Sequence, residues 1–327
     1  MEEFVRAEGA VFVAEPNNQH FLNNIDADIL EILLKDKTTG NNIIWATDVH
    51  ADLGSKYTAN SEITSEILSE NGSNIILPNV WRQQTEQKER TRNFGEVCTP
   101  SWLCNIMLNN FDEEWFGRKD VFNIETLERT VWKATEIPVV FPADKDWQMY
   151  VDTSILEITC GEAPFLVSRY DTSTGQEIPL KERIGALDRK MRIVNENTDN
   201  HDDWFKWAVR ALQSVYGYEY QGDNLLIARI NVLMSFIEYS KSRWGEYPSP
   251  EELSKVANII AWNLWQMDGL RGTVPIESVK EDHYSQLSLF AGCEKILTER
   301  YQTDNYCKVF DWESNKPILF KNITNEV

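Results

Sequence analysis

Apolar residues recur along this chain at two periods, one near 3.6 and one near 2, and the alternation between them marks out helices and strands. Residues 20–34 carry apolar side chains at helical spacing, while residues 10–16 and 42–48 read as strands, so that a small N-terminal module ends near Pro78. Residues 82–92 (RQQTEQKERTR) are polar, with four Arg or Lys against two Glu. They read either as a solvated helix or linker, or as an arm that contacts phosphate. Residues 101–110 form a helix that starts after Thr99-Pro100. The next clear strand is residues 154–159 (SILEIT), which run straight into Cys160-Gly161. Helical stretches over residues 180–194 and 203–214 lead to a short strand at residues 215–219, and residues 223–239 return to strong helical periodicity. Residues 250–256 open another helix, whereas residues 259–266 fit helix or strand equally. Strand, helix, strand, helix, strand argues for an α/β fold with a parallel sheet and helical crossovers. No internal repeat interrupts it.

Composition narrows the function. The chain has 327 residues, 52 acidic and 32 basic, for a net charge of −20. That charge speaks against tight DNA binding by this chain alone, because non-specific affinity comes from cations that displace counterions from phosphates. No apolar run approaches the ~20 residues that span a bilayer, and the opening MEEFVRAEG does not read as a signal peptide, which predicts a cytoplasmic protein. Five cysteines (98, 104, 160, 293, 307) form no CxxC pair and read as reduced thiols. The four histidines (20, 50, 201, 283) are scattered, so spacing suggests neither zinc nor a Ser-His-Asp site. Glu86-x-Lys88 matches a minimal nuclease pattern, but no Pro-Asp precedes it.

Four segments carry chemistry: residues 94–100 (FGEVCTP), 156–166 (LEITCGEAPFL), 216–224 (YGYEYQGDN) and 263–270 (NLWQMDGL). Gly161 permits a tight turn after a parallel strand, where backbone can approach a ligand closely. Glu219, at the end of the second strand, can accept from both hydroxyls of a ribose, with Tyr218 or Tyr220 beside a flat ring. Asp268 ends the third candidate strand. Each feature also has an ordinary reading: a strand-to-helix turn, a surface glutamate, a turn Asp before Gly, and for Pro100 the first turn of a helix.

In this order the segments resemble the amino-methyltransferases that act on adenine N6 in DNA, and in particular the methylase (M) subunits of bacterial restriction-modification systems. The resemblance runs over nearly the whole chain, including residues 20–48. It implies a Rossmann-like methyltransferase sheet and S-adenosylmethionine as cofactor. Thr99 and Pro100 then pack on the methionine side of the cofactor, with Cys98 where an aromatic residue is usual. Glu157, Thr159, Cys160, Gly161 and Phe165 match the turn after strand one, Glu219 takes the ribose with Tyr220 near the adenine, and Asp268 accepts from the adenine amine. Ala163, followed by Pro164, replaces the second glycine of the family pattern, which puts the loop shape and cofactor affinity in question.

The family's Asn-Pro-Pro-Tyr motif, which binds the flipped adenine amine, is missing, for the chain contains no Pro-Pro. No catalytic residue is therefore expected here. Either the chain is one subunit of a split methyltransferase, completed by a partner that brings this motif and recognises duplex DNA, or it is an inactive regulatory or structural relative. The sequence ends about 57 residues after Leu270, where fused relatives approach the fourth strand, and this favours the split. In the family's strand order, 3-2-1-4-5-7-6, strands one to three alone leave strand one as an open edge. The organisation expected is an N-terminal module (1–92), a cofactor-binding domain (93–280) and a C-terminal extension (281–327) suited to docking the partner.

Overall fold

The computed structural model describes residues 25–126, 128–275 and 306–324. The strand expected at residues 10–16, the start of the helix expected from residue 20, Cys293 and the first part of the C-terminal extension lie outside them.

The described chain is mixed α/β around a three-stranded parallel sheet. Its strands are β3 (Ile155–Glu157), β4 (Val215–Glu219) and β5 (Leu264–Gln266), in the order β3-β4-β5. Before them come helices α1 (Ala27–Leu34), α2 (Ser65–Ile75), α3 (Gln84–Phe94) and α4 (Ser101–Phe116), the antiparallel pair β1 (Asn123–Glu125) and β2 (Trp132–Ala134), and α5 (Trp147–Asp152). Helices α6 (Ala186–Asn197) and α7 (His201–Gln213) cross from β3 to β4, and α8 (Gly222–Trp244) and α9 (Pro250–Asn263) from β4 to β5. Such long crossovers are what parallel neighbours require. The arrangement is compatible with a Rossmann-like fold.

The register Ile155↔Val215, Glu157↔Gly217 and Glu219↔Gln266 puts alternate residues on opposite faces. Ile155, Val215 and Leu264 face the main core, through which α8 runs buried on nearly all sides. On the other face Tyr218 and Trp265 pack with Val309, Ile318 and Phe320, from or beside the hairpin of β6 (Lys308–Asp311) and β7 (Lys316–Leu319). The same main core takes in Ile29, Leu33, Ile43 and Ile67, so the N-terminal segments share it with the sheet and its helices. Arg229 of α8, fully buried, satisfies its guanidinium on the carbonyls of Leu33, Lys35, Ala261 and Leu264, tying the ends of α1 and α9 to the centre.

Several boundaries depart from expectation. Residues 42–48 form no strand: their backbone donors go to scattered partners, Ile43 N–H to Leu34, Trp45 N–H to Ser61 and Ile44 N–H to the Gln266 side chain, leaving only isolated bridges at Asn42 and Ile44. Helix α1 begins at Ala27, where Asp26 accepts from the N–H groups of Asp28 and Ile29. The 180–194 stretch divides into a short 3-10 turn (Leu180–Glu182) and α6. Helix α4 runs beyond residue 110 to Phe116 and stops at Gly117, whose φ of +69° is left-handed. The ambiguous 259–266 region is both, helix to Asn263 and strand from Leu264. Residues 82–92 are largely helical, but Arg82 and Arg90 are buried, and a phosphate-contacting arm built on them is excluded. No helix among the described residues is long and apolar enough to cross a membrane.

Candidate functional site

The chain leaves β3 through a turn in which Thr159, Gly161 and Ala163 have φ of +50°, +52° and +63°. Gly161 tolerates this freely; Thr159 and Ala163 are held there by their surroundings. The position where the family pattern has a second glycine therefore keeps the left-handed backbone with alanine. Cys160 N–H donates to the Tyr218 carbonyl at 2.8 Å, which laces the turn to β4.

Beside this turn β4 ends at Glu219. One carboxylate oxygen accepts the Gly161 N–H at 2.9 Å and the other the Gln221 N–H at 3.1 Å. Burial pushes the Glu219 carboxyl above its ordinary value, and the charges of Glu96 and Asp223 add to this, against the two backbone donors. The carboxyl ends of β3 and β4 open together into a cleft of about 410 Å³, lined by residues 95–97, Thr159, Gly161, Glu219, Tyr220, Gln221 and Asn224. That is where ligands bind in open α/β sheets.

One wall of the cleft is built from a buried ionic cluster that sequence reading missed. Asp223, at the start of α8, is fully buried and pairs with Arg82 at 3.2 Å and Arg90 at 2.9 Å. Arg90 also donates to Glu96 at 2.7 Å and to Gln221 at 2.6 Å. Burial opposes ionisation of Asp223, yet Arg90 and Arg82 hold its carboxyl down at about 2. Glu162 likewise accepts the Asn79 N–H and the Tyr170 hydroxyl, both at 2.5 Å, and anchors the turn to the segment before α3. Glu96, Glu162, Gln221 and Asp223 lie within segments that the sequence marks out, but no local pattern pairs them with partners so far away in the chain.

The expected site residues separate into groups. Thr159, Gly161, Glu219 and Tyr220 line the cleft. Tyr218 does not; it lies on the opposite sheet face against Trp265 and Phe320. Glu157 and Phe165 support the turn from behind, the Phe165 N–H donating to Glu157 Oε1 at 3.3 Å. Cys160 is buried beneath it, and burial raises its thiol well above the ordinary value. Thr99 and Pro100 precede α4, the Thr99 carbonyl accepting from the Thr172 hydroxyl at 2.7 Å. Cys98 lines a second hollow of about 310 Å³ that shares Glu96 and Val97 with the cleft. Asp268 lies two residues past the end of β5, its carboxylate accepting from the N–H groups of Leu270 and Arg271 in its own turn, and its charge reaches Tyr220.

Cys98, Cys104, Cys160 and Cys307 are free thiols, and among the described residues no cluster of His, Cys, Asp or Glu is placed to hold a metal ion. Glu86 of the nuclease-like pattern instead pairs with Arg82 at 3.6 Å. Comparison with protein-family models, with curated proteins and with solved structures finds no match to this chain.

Proposed function

We propose that the chain is the S-adenosylmethionine-binding subunit of a split adenine-N6 DNA methyltransferase of the restriction-modification type. A second polypeptide brings the Asn-Pro-Pro-Tyr motif and reads the DNA target. The observation that carries this reading is the meeting of Glu219 with the Gly161 turn at 2.9 Å, across the carboxyl ends of adjacent parallel strands. A diol presents two donors, and a carboxylate so placed can accept both while the turn admits the rest of the cofactor. The cleft's size falls within the range of about 300–1,000 Å³ usual for small-molecule sites.

The need for a partner is supported by β3. Among the described residues it has a neighbouring strand only on the β4 side. Because the Ile155 N–H bonds to the Ser214 carbonyl, Leu156 turns its N–H and C=O toward the open side. Leu156 and Ile158 are 43% and 64% exposed. Parallel strands are ordinarily covered on both faces and paired on both edges. An added strand would satisfy this edge.

Calorimetric titration with S-adenosylmethionine tests the first half of the reading, and transfer of labelled methyl to adenine-containing duplex tests the second. Binding by this chain, with transfer only when a motif-bearing partner is added, is the expected result. Transfer by the chain alone overturns the split, binding without transfer in any mixture favours the regulatory alternative, and no binding with or without the partner overturns the cofactor assignment.

A further inference from the structure

The cleft is lined by charges of one sign. Glu96 and Glu219 both face it, and no Lys or Arg lines it among the described residues. The two carboxylates differ in their support. Glu96 has a cation behind it, Arg90 Nε at 2.7 Å, and its other oxygen accepts from Asn79 Nδ2 at 3.0 Å. Glu219 is only 8% exposed, yet it draws on two neutral backbone N–H groups, and the charges that act most on it are acidic, Glu96 and Asp223. The nearby arginines do not balance the account: Arg82 and Arg90 are shared among Asp223, Glu96 and Glu86. A carboxylate removed from water without a cation is unfavourable, and its remaining lone pairs are open to the cleft.

We infer that this cleft selects its ligand by charge, taking a nucleoside that carries positive charge in preference to a neutral or anionic one. The sign of the preference follows from the lining; the identity of the nucleoside rests on the cofactor reading above. S-adenosylmethionine bears a sulfonium and an ammonium against one carboxylate, and its demethylated thioether product has lost the sulfonium charge. The cofactor is then held more tightly than the product, and giving up the methyl group itself weakens the hold on what remains.

The test is calorimetric titration of the full chain with five probes at low salt: S-adenosylmethionine; its amine analogue sinefungin; the neutral thioether S-adenosylhomocysteine; 5′-amino-5′-deoxyadenosine; and adenosine monophosphate. The two cationic cofactor analogues should bind at least about fivefold more tightly than the thioether, which is about 1 kcal/mol. The margin should shrink as salt rises. The aminonucleoside should bind more tightly than the monophosphate. Glu219→Gln, which keeps an acceptor for the turn, should level both preferences. Thioether binding as tight as that of the sulfonium overturns the charge inference and leaves the cofactor reading standing. Preference for the aminonucleoside, with no binding of any adenosylmethionine relative, does the reverse. Monophosphate binding as tight as that of the aminonucleoside overturns the inference whatever the other probes do, and silence from all five removes both.

Discussion

Glu157→Gln probes the turn beneath the cleft without touching its lining. In the parent, Oε1 accepts the Phe165 N–H, while Oε2 is enclosed without a hydrogen-bond partner. Burial, opposed by the backbone donors of Phe165 and Leu166 and reinforced by the charge of Glu219, pushes the carboxyl from 4.5 up to about 8. The unfolded chain ionises this group first, so its contribution to stability is fully present below about pH 4.5 and drains away as pH rises toward 8. At about 1.4 kcal/mol per pH unit, the whole window amounts to an upper bound of about 5 kcal/mol, a large share of the ~5–15 kcal/mol typical of a folded protein. Glutamine keeps an acceptor for Phe165 and has no proton to lose. The variant should match the parent near pH 5 and exceed it progressively toward pH 8, by several kcal/mol at the upper end. Urea unfolding at intervals between pH 5 and 8, with the midpoints compared at constant slope, measures the difference directly. Parallel stability curves for parent and variant across that range would refute the reasoning, because they would mean that Glu157 ionises alike in both states.

Two further changes address the packing that shapes the site. A Cβ on Gly222 would lie 2.0 Å from the Ile44 carbonyl oxygen, and the Gly222 N–H donates to Trp45 at 3.2 Å. Gly222→Ala should therefore cost about 1–3 kcal/mol by forcing residues 42–48 off α8, and an unchanged melting temperature would show that this segment is not seated there. Asp223→Asn removes the charge between Arg82 and Arg90 and should cost about 3–5 kcal/mol. Because the folded-state carboxyl is held at about 2, its contribution is present above about pH 3.8 and lost as pH falls toward 2. The gap between parent and variant should therefore narrow by about 2 kcal/mol between pH 5 and pH 2; a gap that stays constant over that range would place the effect elsewhere.

Short-range patterning made much of the scaffold legible. Residues 215–219 and the long helix after them are visible because apolar periodicity and the intervening polar cluster lie within a few residues of each other. The start of α9 is written locally too, in Ser249, Pro250 and Glu252, which form a capping box with Pro in the first turn. Residues 42–48 show where such reading ends. Ile43 and Trp45 are buried as their alternation implies, but a strand needs a partner ladder, and here the partners are loop carbonyls and the side chain of Gln266, 222 residues away. Sequence also shows that residues 82–92 are charged, not that Arg82 and Arg90 are drawn inward to Asp223, 141 and 133 residues distant.

The candidate site follows the same division. Gly161 and Glu219 each stand out in the sequence, because a tight turn needs the first and a strand-end acceptor suits the second. That they touch, 58 residues apart in sequence, is decided by the parallel register of β3 on β4. Tyr218, inside β4, packs on the far face, whereas Tyr220 falls one residue past the end of the strand, is released from its alternation and lines the cleft. Glu96 is held at the cleft by Arg90 and Asn79, and Asp268 turns to its own loop because two backbone donors lie within its reach. Residue type and local spacing determined which groups can do chemistry and where helices and strands begin. Which of those groups meet, and which are spent holding the fold, was decided by contacts between distant segments, whose hydrogen-bond partners no local pattern encodes.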